Sequence, residues 1–345
     1  MKNALLATIA VIAIPLIGVG VLGLESLFGV VIPYLAFAAF LCGFVYRVFT
    51  WAKSPVPFRI PTTCGQEKSL PWIKRNPIEA PSNTLEVTIR MLLEVLAFRS
   101  LFRNTRAELY KGPKLAYGSS KWLWVFAILF HYSFFLIVVR HMRLFLNPVP
   151  AFISALEMGD GFLQVGAPPI YQTDIFIVLA LVLLFLRRVV LRPVKYISLT
   201  SDYFPLFLIF GIAVTGLLMR FVLRVDIVSI KALAVGLATF SPALTSGAVG
   251  TPFFVHLFMV CVLMVYFPFS KLMHMGGVFL SPTRNMANTN RVKRHVNPWN
   301  DPAIKPHSYA AYEDEFREFM VDAGLPVEKE LPKEEENTEE SSAKE

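Results

Sequence analysis

The sequence predicts an all-α membrane protein: six transmembrane helices in a four-to-six-helix bundle, an amphipathic loop helix and a disordered acidic tail. Three observations predict it. Of 345 residues, 55% are hydrophobic and 17% charged, against about a quarter charged in soluble domains. Six apolar runs approach the ~20 residues that cross a bilayer. Four histidines lie inside those runs, where an ionisable side chain is costly and marks a functional site.

The spans follow in order. Ala4–Leu24 comes after Lys2 and could pass for a signal peptide, but it is long for one and no A-x-A site follows, so it reads as a retained helix. A break of only Glu25-Ser26 leads to Phe28–Thr50, giving a tight hairpin over residues 1–51. Residues 52–121 form a basic loop. Within it Asn83 is placed to cap a helix with Glu86 at its third position. Leu85, Ile89, Leu92, Leu93 and Leu96 then recur at helical spacing, with Arg90, Glu94, Arg99, Arg103 and Arg106 elsewhere on the surface. Such a helix suits an anionic lipid surface or a docking platform for a cytoplasmic subunit, and both readings stay open. Residues 122–275 hold the remaining spans: Trp122–Leu146, Thr173–Arg192, Tyr203–Leu223 and Pro252–His274. Prolines and glycines inside spans (Pro15, Pro33, Gly211, Gly216, Pro268) are ordinary in membrane helices. Residues 276–345 stay basic through Arg284, Arg291, Lys293 and Arg294, then turn acidic over Glu328–Glu336, a composition expected to be disordered. His295 and His307 in this segment read as solvated.

Charge sets the topology. Lysines and arginines crowd Trp51–Lys121 and recur at Arg187, Arg188, Arg192 and Lys195, whereas Asn147–Gln172 has none, only Glu157 and Asp160. The positive-inside rule places both termini and the basic loops in the cytoplasm, the protein being multi-pass in the cytoplasmic (inner) membrane. Arg220, Arg224 and Lys231 make one outer loop mildly basic. The net charge of +8 is therefore a topology signal, and no nucleic-acid partner is expected. Cys42 and Cys261 read as small apolar residues, and Cys64 stands alone. Without C-x-x-C-H there is no covalent c-type haem, and the cysteines cannot ligate an iron–sulfur cluster.

His131 and His141 are ten residues apart on one span, roughly 15 Å along the axis; His256 and His274 are eighteen apart on another, roughly 27 Å and five whole turns. Five turns put the second pair on one face, with Pro268 between them. The two spans run antiparallel, so depth pairs His141 with His256 near the outer face and His131 with His274 on the cytoplasmic side. Two imidazole pairs between helices suit two b haems, with iron as the bound metal. Bis-histidine ligation fills both axial positions and favours electron transfer. Arg140, Arg143 and Lys271 flank the histidines and are placed to meet haem propionates, or to snorkel at span ends. Gly211 and Gly216 are placed to admit a flat macrocycle or to let helices approach. The competing reading of the histidines is four imidazoles satisfied by helix–helix hydrogen bonds.

The unequal spacings of ten and eighteen resemble the cytochrome b subunit of respiratory nitrate reductase. The segments Lys121 to Phe134, Val139 to Arg143, Lys271 to His274 and Gly277 to Asn285 are similar to DsrM, the haem b subunit family of the membrane complex linked to dissimilatory sulfite reduction. The heterodisulfide reductase membrane subunit is a more distant cousin. The resemblance covers Ala4 to about residue 300. It implies two b haems on His131, His141, His256 and His274, exchange with menaquinone or menaquinol, and a cytoplasmic iron–sulfur partner similar to the heterodisulfide reductase catalytic subunit. It also implies a periplasmic multihaem cytochrome c, a ferredoxin-like subunit and a second quinone-interacting membrane subunit. The quinone-site lysine of nitrate reductase subunits has no match in Asn147–Gln172.

The expected function is electron transfer between menaquinol and the cytoplasmic partner in sulfur or sulfite respiration. Quinol would be oxidised near His141 and His256, with Glu157 or Asp160 either as proton acceptor or, the plainer reading, as solubilising loop carboxylates; no catalytic residue for sulfur chemistry is evident. The alternatives are a haem b subunit of another respiratory oxidoreductase, such as nitrate reductase, or a haem-free anchor or transporter.

Overall fold

A computed structural model describes residues 1–54, 74–110, 114–161, 168–244, 247, 249–287 and 303–330. The chain divides into two compact units, Met1–Thr289 and Asn290–Glu345.

The first unit opens with α1 (Lys2–Gly20), which ends beside Gly23 at φ +65°. A π turn, Leu27–Val31, leads into α2 (Ile32–Ala52); α1 and α2 each pack on α11 and make at most marginal contact with each other among the described residues. The basic loop holds α3 (Thr84–Leu96), α4 (Arg99–Phe102) and an antiparallel hairpin, β1 (Thr105–Tyr110) and β2 (Lys114–Ser119), in the register Thr105↔Ser119 to Tyr110↔Lys114. This hairpin is a local departure within an otherwise helical unit. The signal lay in Gly112-Pro113, a strong turn dipeptide between Tyr110 and the Leu115/Tyr117 alternation.

The remaining elements are α5 (Lys121–His141), α6 (Ala151–Asp160), α7 (Gln172–Val190), α8 (Arg192–Ile197), α9 (Thr200–Leu217), α10 (Ile227–Ala238), α11 (Thr251–Tyr266), α12 (His274–Leu280) and α13 (Pro282–Asn285). Five segments are long and apolar enough to cross a membrane: Lys2–Gly20, Leu27–Ala52, Lys121–Leu144, Thr200–Val222 and Thr251–Phe269. The helix expected at Thr173–Arg192 forms as α7. Asp174, Arg187 and Arg188 near its ends keep it out of that set.

Packing runs from α5 to α7, from α7 to α9, from α9 to α1 and α11, and from α11 to α2. The two histidine helices, α5 and α11, make at most marginal contact with each other among the described residues. Phe130, Phe134 and Ile137 of α5 instead pack on a core of Ile177, Leu181 and Ile209. Large apolar side chains such as Leu6, Leu35, Phe135 and Val190 are exposed along the helices, as lipid-facing surfaces require.

The sixth predicted span does not continue to His274. α11 stops at Tyr266, a 3₁₀ turn covers Phe267–Phe269, and Ser270 is extended at φ −120°, ψ 178°. Pro268 has no N–H to give the helix, and its ring crowds the preceding turn. Ser270 Oγ then accepts from the Leu272 amide and starts a new turn over Lys271–Met273, which leads into α12. His274 thus heads a separate helix, and the five-turn alignment with His256 does not hold.

α3 is capped as expected, Asn83 accepting from the Glu86 amide at 3.0 Å. Its faces are the reverse of a soluble helix: Arg90 and Glu94 are buried, while Leu85, Ile89, Leu92 and Leu96 are exposed. The charged side meets α13, where Arg284 bonds Glu94 at 3.1 Å and Ser100 at 2.6 Å. Glu79 is held by Arg99 at 3.0 Å and by Arg103. Burial works to raise the Glu79 pKa, but hydrogen bonding and charge from Arg99 and Arg103 outweigh it and hold the carboxyl below its ordinary range.

The second unit contains a helix absent from the sequence reading, α14 (Tyr309–Asp322), capped by Ser308 on the Ala311 amide. Glu313 ties its acidic chain back by accepting from the Glu328 and Lys329 amides at 3.0 and 2.9 Å. The described residues 303–330 thus reach the start of the acidic run. His307 is exposed and faces Glu315. His295 and the tail from residue 331 lie outside the described residues.

Candidate functional site

α5 carries His131 and His141, α11 carries His256, and α12 opens with His274. His131 and His274 meet, their ring centroids 5.9 Å apart and their planes at 83°. A metal bound by two imidazole nitrogens at about 2 Å each sets centroids about 6 Å apart, so this pair is spaced for one shared ion. His141 and His256 lie within electrostatic reach of each other.

The four rings share one hydrogen-bonding logic. Nδ1 of His131 meets Ala127 O, Nδ1 of His141 meets Ile137 O and Nδ1 of His274 meets Lys271 O, each at 2.7 Å. A carbonyl only accepts, so each Nδ1 carries the proton. His256 Nδ1 lies 2.9 Å from Thr215 Oγ1, which spends its own proton on Gly211 O at 2.8 Å or Ile212 O at 3.0 Å. Thr215 therefore accepts from His256. In three rings the proton therefore sits on Nδ1 and Nε2 keeps the free lone pair, and His256 has a hydroxyl oxygen placed to accept in the same way. Metal-binding histidines are held this way.

No three His, Cys, Asp or Glu side chains converge among the described residues. Imidazoles in pairs thus lack the ligands to cage a bare ion, and the donor set fits a metal that brings its own equatorial ligands. Gly211 and Gly216 mark close helix contacts: a Cβ on Gly211 would fall 2.3 Å from Met259 Cε, and one on Gly216 would fall 3.4 Å from His256 Cε1.

The flanking cations all have carboxylate partners. Arg140 is buried between Asp160 at 3.3 Å and Asp174 at 2.9 Å. Arg143 pairs with Glu157, and Lys271 with Asp202, each at 2.7 Å. Asp160 also accepts from the Thr173 amide and hydroxyl at 3.0 and 2.6 Å, fastening the start of α7. Glu157 and Asp160 are thus both engaged near the His141 end.

Several residues here escaped the sequence reading. Tyr171 lies under two guanidiniums, Arg140 at 3.8 Å and Arg220 at 4.2 Å from its ring centroid. Lys231 and Arg143 line a cavity of about 370 Å³ with Leu144, Ile227 and Val235. At the other pair, Phe98 packs edge-on to His131 at 5.0 Å with a left-handed backbone, φ 49° and ψ 45°. That conformation costs a side-chain-bearing residue about 1–2 kcal/mol, and it turns α3 into α4 beside the ring. Trp124 Nε1 and Tyr132 OH donate to Ala97 O and Leu96 O at 2.7 and 2.8 Å, tying the same elbow to α5. Tertiary contacts of this kind leave no periodic trace in a sequence.

Residues 108–294 match the nitrate reductase gamma subunit family. The chain is similar to the Hdr-like menaquinol oxidoreductase cytochrome b-like subunit of Archaeoglobus fulgidus, 46% identical over 81% of this chain and 85% of the relative. It is similar also to the subunit of the same description from Archaeoglobus profundus, 45% identical over 79% of this chain and 82% of the relative. By sequence and by its membrane helices, the chain belongs to the nitrate reductase gamma subunit family, together with these Hdr-like cytochrome b-like subunits.

Proposed function

We propose that the chain is a membrane cytochrome b that binds two b haems and passes electrons between menaquinol and a cytoplasmic iron–sulfur partner of the heterodisulfide reductase type. The observation that carries the reading is His131 opposite His274 at 5.9 Å, with both Nδ1 protons bound to carbonyls. One haem takes His131 and His274, the other His141 and His256. The bound haem supplies one-electron redox chemistry; the residues supply axial ligands, a fixed tautomer and an apolar surround. Lys231, which lines a cavity beside Arg143 that is already paired with Glu157, is assigned to a propionate at the His141 end. Arg140 and Lys271 keep their carboxylates.

The alignment with the Archaeoglobus subunits covers far more of the chain than the nitrate reductase match, which favours a menaquinol-oxidising role over nitrate respiration. A sulfite-linked complex, with a periplasmic multihaem cytochrome c, a ferredoxin-like subunit and a second quinone-interacting membrane subunit, is the fuller form of this reading. α7 is assigned as the sixth span because it packs along α5 and α9 with its charges near its ends. Both termini are then cytoplasmic, with His131 and His274 on that side. The exposed Leu85, Ile89, Leu92 and Leu96 of α3 are assigned to the lipid surface, since the helix ends against α5 through Trp124 and Tyr132.

The test is the reduced-minus-oxidised spectrum of the purified chain expressed with haem available, followed by reduction with a menaquinol analogue. A b-type band that the quinol reduces is expected; no b-type band would end the cytochrome reading.

A further inference from the structure

We propose that Glu94 is the positioning residue of the His131–His274 pair: one buried carboxylate that fastens both the loop elbow lying against His131 and the segment that follows His274. This rests on the haem reading above and concerns what holds the two axial rings.

His274 needs such a holder because its own helix cannot supply one. The break at Pro268 and Ser270 parts it from α11, and α12 runs only from His274 to Leu280. A helix of that length is not stable by itself. Besides apolar packing such as that of the buried Met273, two ion pairs fasten this segment among the described residues, one at each end. Lys271 pairs with Asp202 at 2.7 Å, but the lysine side chain is 69% exposed. Arg284 pairs with Glu94 at 3.1 Å, and the Glu94 side chain is only 6% exposed. Breaking a buried pair costs far more than breaking an exposed one, so the Glu94 link is the firmer of the two.

The same carboxylate closes the elbow. Glu94 lies in the last turn of α3 and Ser100 in the first turn of α4, on either side of Phe98. Glu94 Oε2 accepts from the Ser100 amide at 3.1 Å, and Oε1 accepts from the Ser100 hydroxyl at 2.7 Å. The first of these satisfies an amide that a helix start leaves free. Bridged in this way, the bend holds Phe98 in its left-handed conformation with its ring edge-on to His131. Arg284 Nη1 donates to Glu94 Oε1 and, at 2.6 Å, to Ser100 Oγ. Carboxylate, elbow and the chain after His274 therefore meet at one point. Tyr132, the neighbour of His131, and Trp124 bond the elbow carbonyls of Leu96 and Ala97. Loss of charge at Glu94 thus reaches the surroundings of both rings.

Four variants of the full chain test this. Glu94→Gln keeps an oxygen for Ser100 but no charge for Arg284. Arg284→Ala cuts the same link from its more exposed side and decides the matter if Glu94→Gln fails to fold. Arg284→Lys keeps a cation for Glu94. Glu86→Gln removes a loop carboxylate at the far end of α3, where Glu86 bonds Arg75 and Ser82. The first readout is hydrogen exchange of the purified chain, which needs no haem signal. Glu94→Gln is expected to speed exchange at least tenfold over both residues 98–103 and residues 275–285, Arg284→Ala over the second stretch, and Glu86→Gln over neither. The second readout is haem release together with the low-spin EPR signal, which reports the angle between the two axial rings. In Glu94→Gln and Arg284→Ala, the component that His131→Ala removes should lose haem at least tenfold faster, within the usual range for a residue supporting a ligand, and its signal should move. Arg284→Lys should restore the signal and bring release to within twofold of wild type. Unchanged exchange over residues 275–285 in Glu94→Gln and Arg284→Ala, an equal effect on both components, or the same effect from Glu86→Gln would overturn the proposal. If the wild-type protein shows no b-type haem, the functional reading falls, and the exchange result still decides whether Glu94 holds both segments.

Discussion

The two ends of the histidine array are built from different materials. At His131 and His274 the rings meet directly, their Nδ1 protons go to the chain itself, and aromatic edges from Phe98 and Phe130 close around His131. A soluble loop covers this end: α3 and α4 bend at Phe98, and arginine–glutamate pairs with Arg284 lock the loop to the segment after His274. At the other end His141 Nδ1 likewise meets its own helix at Ile137 O, but further support comes from other helices. Thr215 of α9 holds His256, and an Arg140–Asp160–Asp174 network with Tyr171 surrounds His141. The cavity lined by Arg143 and Lys231 lies on elements next to this end. The difference teaches that one ring pair can meet directly with its Nδ1 atoms bonded to nearby backbone, while the other draws side chains from several helices around it. On the proposed reading, the first end hands electrons to a protein and the second takes them from quinol.

Removing the guanidinium that organises the second end is the harshest way to break the comparison. Arg140→Ala leaves two buried carboxylates without their cation, which costs about 3–5 kcal/mol. Thermal denaturation in detergent should show that loss, and the b component of the His141–His256 pair should disappear before the other. Equal loss of both components would mean that the two ends do not differ in their support. Next in size, Thr215→Val removes the acceptor for His256 Nδ1 and should lower haem affinity at that pair about 10–100-fold. Thr215→Ser should restore it, and haem-release kinetics distinguish the two variants.

Smaller effects sharpen the contrast at the loop end. With Cys42, Cys64 and Cys261 replaced by alanine, a fluorophore on Leu92→Cys should be quenched by brominated lipid and one on Glu86→Cys much less. Equal quenching would remove α3 from the lipid surface. In the second unit, the Glu328 amide chiefly holds the Glu313 carboxyl below its ordinary 4.5, with Lys329 and Arg317 adding to it against burial. A depressed carboxyl stabilises the fold above its ordinary pKa and loses that contribution as pH falls through the folded value. Hydrogen exchange at the Glu328 and Lys329 amides should therefore stay slow near neutral pH and lose protection below about pH 4.5, relative to intrinsic rates. Glu313→Gln should remove that pH dependence.

Much of this was legible in the sequence because the bilayer leaves few choices. Apolar length finds the spans, and an imidazole in an apolar run stands out by its cost. The Asn83 cap was legible because it needs only local bonds. What escaped depends on which surface is covered. The stripe of Leu85, Ile89, Leu92 and Leu96 is plain in the sequence, yet periodicity cannot say that lipid-like exposure falls there while Arg90 and Glu94 are buried. Pro268 was visible, but whether a proline kinks or ends a membrane helix depends on neighbours such as Ser270, which here restarts the chain. Asp174 looked like one more helix-start carboxylate; its pairing with the buried Arg140 sets it apart.

The central claim is that the four histidines act as two cross-helix pairs. Redox titration of the b-type absorbance in four single variants, His131→Ala, His274→Ala, His141→Ala and His256→Ala, tests it most directly. The account predicts two components in the wild type, with the first two variants losing one and the last two losing the other. If His131→Ala and His274→Ala remove different components, the pairing is wrong.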